Sequence, residues 1–145
     1  MTRALLDVNV WLALVDPDHE AHQRVHAWLE QWLARPDPDG WASCAITQNG
    51  FARIISSSGY PNAVSPRRAV ELLATATSAR EHEFWPCDVQ LGDVVDVTHL
   101  VGPRLITDAY VLALAVARDG TLVTLDRSIP FRLVRGARDR HLTPL

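Results

Sequence analysis

Three aspartates in this 145-residue chain each stand beside an apolar segment. Asp7 follows the run Arg3 to Leu6, Asp108 precedes Ala109 to Ala117, and Asp126 follows Thr121 to Leu125. If the two runs are parallel strands and the segment between Asp108 and Gly120 is a helix, all three carboxylates meet at one edge of a sheet, where open α/β sheets bind their ligands. Carboxylates so gathered repel one another unless they are protonated or bridged by a cation. Hard oxygen donors with no His or Cys among them suit Mg²⁺ or Mn²⁺. Such an ion activates water for in-line attack on a phosphodiester and stabilises the leaving oxygen, so phosphodiester hydrolysis is the chemistry this set serves best. Each acid alone has an ordinary explanation: Asp7 and Asp108 as helix caps, with Thr107 helping or replacing Asp108, and Asp126 as a turn residue.

The elements that must position them can be read along the chain. Arg3 to Leu6 reads as a strand and Val8 to Val15 as a helix, with Asp7 at the turn; Asp7 and Asn9 interrupt an apolar stretch where a packed core would leave them unpaired. Asp16-Pro17-Asp18 is a turn, with Asp18 expected to cap a helix reaching about Arg35. Ala21, Val25, Trp28, Leu29 and Trp32 form the apolar face of that helix, and His19, His22 and His26 lie on its flank without closing a ligand set. Arg35 to Gly40 is a loop, Trp41 to Cys44 a short buried strand, and Ala45 to Ile55 a helix carrying Gln48 and Asn49 near its start, where Ser43 or Thr47 can cap it. Ser56 to Val64 is a loop. Ser65-Pro66 opens a helix to about Arg80, Glu83 to Pro86 is a strand, and Asp88 to His99 holds a short helix at most. Ala109 to Ala117 is apolar nearly all round, the mark of a buried helix, and Gly120 is its expected stop. Strands alternating with helices throughout indicate a central parallel sheet in an α/β fold.

Composition bounds the function. The length suits one domain spanning residues 1 to 145, able to bury roughly 70% of its unfolded surface. Cys44 and Cys87 are isolated thiols, and the N-terminus lacks a signal-peptide pattern, so a soluble cytoplasmic protein with no membrane partner is expected. The net charge of -3 argues against a protein coated in basic charge, yet residues 127 to 145 carry +4 and the rest -7. A basic tail beside an acidic edge can hold phosphates; it can equally be a solvated surface. All 14 basic residues are Arg. The absence of Lys excludes a P-loop and disfavours the acid-cluster phosphatases that use one beside their aspartates.

LLDVNVWLAL near the N-terminus, TQNGFARI in the middle, and LITDAYVLALA followed by LVTLD resemble, in order and spacing, the PIN-domain ribonucleases, in particular the VapC toxins of toxin-antitoxin pairs. The resemblance spans essentially the whole chain. It implies a three-layer α/β/α sandwich, Mg²⁺ or Mn²⁺ at the acidic edge, and endonucleolytic cleavage of RNA. Asp7 and Asp108 would be the principal metal ligands, Asp126 a further acid near a second ion or bound through water, and Asn9 a hydrogen-bonding support. The implied partners are a VapB-like antitoxin, an RNA substrate and a second toxin copy in a homodimer. The chain departs from the pattern at Gln48, where PIN domains commonly carry an acid. As a site residue a neutral amide there can coordinate through its oxygen or hold a water but brings no charge to a second ion, and a catalytically weak or silent module binding RNA or a partner protein is the alternative reading.

Overall fold

The computed structural model describes residues 2–36 and 39–145; of the loop expected at Arg35 to Gly40, Asp37 and Pro38 lie outside the described residues. The elements follow in the order β1 (Ala4–Leu6), α1 (Val8–Val15), α2 (His22–Leu33), β2 (Trp41–Cys44), α3 (Ala45–Ile55), α4 (Pro66–Thr77), β3 (His82–Trp85), α5 (Leu91–Val94), α6 (Arg104–Ala117), β4 (Thr121–Thr124) and β5 (Leu142–Pro144). The strands form one five-stranded sheet in the order β3-β2-β1-β4-β5, with every neighbouring pair parallel.

Alternation along each strand builds the three layers. Ala4, Leu6, Trp41 and Val123 pack with α1 to α4 on one face. Leu5, Ala42, Cys44 and Leu122 pack with α6 on the other. The run Val111–Ala115 is wholly buried, as its unbroken apolar sequence demands. The fold is therefore the α/β/α sandwich expected. Successive connections carry the chain from β1 to β2 to β3 over one face, and α6 then returns it across the other face to β4. Right-handed crossovers require that change of face when the direction along the sheet reverses. The reversal puts the topological switch point between β1 and β4.

Several expectations need correction. Asp18 does not cap α2; that helix begins at His22 with Ala21 in the cap position and no side-chain cap, and Asp18 instead accepts from Asn62 Nδ2 at 2.8 Å. The helix α6 begins at Arg104, led in by Gly102-Pro103, where a proline's fixed φ suits a helix start. Asp108 consequently lies in its second turn and caps nothing. The left-handed residue after α6 is Asp119 (φ 51°), one before Gly120. The Arg-rich tail contributes β5, whose Leu142 pairs with Leu122 on β4; its Arg140 meets Asp119 at 2.9 Å and its Arg127 donates to the Leu145 carbonyl at 3.0 Å. His22 Nδ1 and His26 Nε2 sit 2.7 and 3.0 Å from the carbonyls of Ala13 and Leu14. Those nitrogens must carry protons to donate there, which ties α2 to the end of α1 and removes them as metal donors. Among the described residues no helix is long and apolar enough to cross a membrane.

Gly120 is required for a reason other than a turn. A Cβ at this position would lie 2.6 Å from the Arg3 carbonyl oxygen and 2.6 Å from Cη2 of Trp85, a backbone and a buried indole that cannot both retreat. Gly120→Ala should destabilise the fold by about 1–3 kcal/mol, read as a lower urea midpoint at unchanged m-value; an unshifted midpoint would show that the α6–β4 junction has slack.

Candidate active site

The register aligns Leu6 with Val123, and the Asp7 amide continues the ladder by donating to the Val123 carbonyl at 2.9 Å. Asp7 therefore leaves β1 level with Thr124, the last residue of β4. The Thr124 hydroxyl, fully buried, donates to Asp7 Oδ2 at 2.7 Å. It also accepts from Asn9 Nδ2 at 3.2 Å and from the Asp126 amide at 3.1 Å. One donor and two lone pairs are thus all used. Asn9 closes the ring by accepting from the Leu125 amide at 3.0 Å. Asp7 Oδ1 accepts from the Val8 amide at 2.7 Å, so the cap and the site use different oxygens of one carboxylate. Asp126 is oriented by Ser128, whose amide and hydroxyl donate to Oδ1 at 2.8 and 2.6 Å.

Electrostatics tie Asp108 to this group. Burial is the largest cause raising its carboxyl, the charges of Asp7 and Asp126 add to it, and the group titrates at about 6. Burial likewise lifts Asp7 above its ordinary value; the bonds from Thr124 and Val8 partly offset that, and Asp126 raises it further. Asp126 is held below its ordinary value by its bonds to Ser128. None of the three takes part in an ion pair among the described residues. Nor do any three His, Cys, Asp or Glu side chains there form a closed ligand set by themselves. The donor chemistry still fits a hard divalent ion that retains several waters, because such an ion uses few protein carboxylates.

Asp7, Asn9 and Asp108 line an open cleft of about 770 Å³ whose opposite wall is α3. The lining residues of α3 are Ala45, Ile46, Asn49, Gly50, Arg53 and Ile54, one face at helical period. Gln48 falls off that face. Its Nε2 donates to Ser43 Oγ at 2.9 Å, so the polar α3 groups in the cleft are Asn49 and Arg53. The sequence had singled out the neighbour of the residue that faces the site, and the cue available was the period of the buried residues Thr47, Phe51 and Ile55. Thr124 was also missed, because a threonine inside a strand carries no signal of its own. The helix is capped not by Ser43 but through Thr47, whose Oγ1 accepts from the Cys44 amide at 3.0 Å.

Comparison with known proteins agrees with this architecture. Residues 4–136 match the family model of the PIN domain. Ribonuclease VapC44 of Mycobacterium tuberculosis (strain H37Rv) is 54% identical over 145 residues, covering 99% of each chain. Ribonuclease VapC39 of the same strain is 38% identical over 129 residues, covering 87% of this chain and 90% of the relative. Ribonuclease VapC38 is 36% identical over 143 residues, covering 98% and 95%. The chain belongs to the PIN-domain family, as a member of its VapC ribonucleases.

Two outcomes follow from the site. A carboxyl whose folded pKa is raised contributes stability that is complete below its ordinary value of 3.8 and is lost as pH rises through about 6. In EDTA, Asp108→Asn should therefore raise the melting temperature at pH 7.5 by about 2–4 °C, with the gain shrinking toward pH 4. A variant that melts lower than wild type at pH 7.5 would contradict the unfavourable burial and crowding of this charge. Thr124→Val removes the donor to Asp7 and strands Asn9 Nδ2 and the Asp126 amide. Mn²⁺ affinity by calorimetry should fall about 10–100-fold while the circular dichroism spectrum is retained.

Proposed function

We propose that this chain is the toxin of a VapB–VapC-type pair, a Mg²⁺- or Mn²⁺-dependent endoribonuclease that hydrolyses phosphodiester bonds of RNA, tRNA among the candidate targets, in the cytoplasm. The observation that carries the reading is the gathering of Asp7, Asp108 and Asp126, none in an ion pair among the described residues, where burial first and the charges of Asp7 and Asp126 second lift Asp108 to about 6. Asp7 and Asp108 would hold the ion, with Asp126 as a further acid reached directly or through water. When bound, the ion supplies Lewis-acid stabilisation of charge on phosphate oxygens and acidifies the attacking water.

The chain's own residues prepare the site for it. Thr124 holds one oxygen of Asp7, Asn9 clamps the β4 end to the start of α1, and Ser128 keeps Asp126 ionised and turned. A VapB-like antitoxin and a second copy of the chain are the partners this reading carries, the antitoxin restraining the nuclease until released.

The test is cleavage of end-labelled total RNA and tRNA by the purified chain with Mg²⁺ or Mn²⁺, repeated with EDTA. Cleavage should need the ion and disappear in Asp7→Asn and Asp108→Asn. Cleavage indifferent to chelation or to both substitutions would sink the assignment. One observation favours a second reading, a silent module that binds RNA or a partner. Gln48 is turned to Ser43, and α3 contains no acid at all, so that wall brings no charge to an ion. Retained RNA or antitoxin binding without cleavage in either metal would select it.

A further inference from the structure

We propose that Arg53 is a substrate-positioning residue that binds a backbone phosphate of single-stranded RNA on the α3 wall, opposite the acids. The proposal rests on the ribonuclease reading and adds how a cleft floored by carboxylates receives a polyanion. Of the residues lining the cleft, Arg53 is the sole cationic side chain among those described. Its charge is also unspent. Arg3, Arg67, Arg68, Arg118 and Arg140 each meet an acid within ion-pair distance, whereas no such partner of Arg53 occurs among the described residues. Its own helix offers none, since the residues one turn before and after it are Asn49, Gly50, Ser56 and Ser57.

Position supports the role. Asn49 and Arg53 are four apart and share one face of α3, and both line the cleft with Asp7 and Asp108. Gly50 between them lets α1 approach closely: a Cβ there would come 2.7 Å from Cγ2 of Val8, the residue that follows Asp7. The wall that carries Arg53 is therefore packed directly against the strand-to-helix turn that carries the first acid. A phosphate flanking the scissile one would meet a guanidinium able to bind two of its oxygens at once, while the acids across the cleft are left to the ion and the scissile group.

The experiment measures binding of a fluorescent single-stranded RNA to the full chain in EDTA, where cleavage is suppressed, across 50–200 mM KCl, alongside steady-state cleavage with Mn²⁺. The variants are Arg53→Gln, Arg53→Lys, and Arg67→Gln as a control at an exposed arginine of α4 that does not line the cleft. Loss of one phosphate contact should make the slope of log affinity against log salt shallower by about 0.7 in Arg53→Gln, with KM raised and kcat nearly kept. Arg53→Lys should restore the slope, and Arg67→Gln should leave it at the wild-type value. If Arg53→Gln keeps the wild-type slope and KM while the wild type cleaves RNA, the role of Arg53 is overturned and the ribonuclease reading stands. The same holds if the substitution weakens only antitoxin binding. If the wild type binds RNA with an Arg53-dependent slope but does not cleave, the role of Arg53 stands and the nuclease reading falls. A wild type that neither binds nor cleaves RNA overturns both.

Discussion

A single buried hydroxyl, that of Thr124, donates to Asp7 and accepts from Asn9 and the Asp126 amide, and through it the last residue of β4 fixes two of the three acids. The arrangement is possible only because β1 and β4 are parallel neighbours in a fixed register. In a parallel sheet adjacent carboxyl ends point the same way, so Asp7 and Asp126 emerge on one edge. A one-residue slip would turn Thr124 to the other face of the sheet and leave Oδ2 of the buried Asp7 without its donor. The apolar residues that alternate along these strands therefore protect the site as much as they stabilise the fold.

The acids impose a cost that the scaffold absorbs. Asp108 is held part-way into α6, half-buried and beside two like charges, and its pKa is raised first by that burial and then by those charges. The helix cannot move away to relieve it, because Ala109 and Val111 to Ala115 are packed against the sheet and its flanking cluster. Nor does Asp108 gain from the helix start, which lies four residues earlier. What was open to explanation as a cap is a carboxylate placed against its own electrostatic preference, and such strain is found where function requires it.

The layers and the acids were legible for different reasons. Strands β1, β2 and β4 announced themselves as short, largely apolar runs, and α6 as a segment apolar nearly all round that ends near a glycine. The fifth strand was not legible, since Leu142–Pro144 is three residues long, half exposed and preceded by arginines. It pairs only at a sheet edge, where hydrophobicity is not demanded. Asp7 and Asp126 could be placed at one edge by topology alone. Thr124 and Arg53 could not, because what distinguishes them is a hydrogen bond to a residue more than a hundred positions away and a cleft wall formed by packing α1 on α3.

Gln48 shows how a local network decides which side chain reaches a site. Its amide donates to Ser43 Oγ, leaving the Ser43 proton free for His82 Nε2, 2.7 Å away. That chain needs a neutral imidazole with its acceptor nitrogen toward Ser43. Burial, the largest cause, holds the His82 pKa below its ordinary value and favours that form. A glutamate at position 48 would present only acceptors to Ser43, forcing the serine to donate to it and the imidazole to carry its proton on Nε2 and donate to Ser43 in turn. The amide satisfies the buried β2–β3 seam without that reversal, and by satisfying it Gln48 is held away from the cleft. The α3 wall is left to Asn49 and Arg53, a neutral donor and a cation, so any ion at the acidic edge draws its charge compensation from β1, α6 and β4 alone.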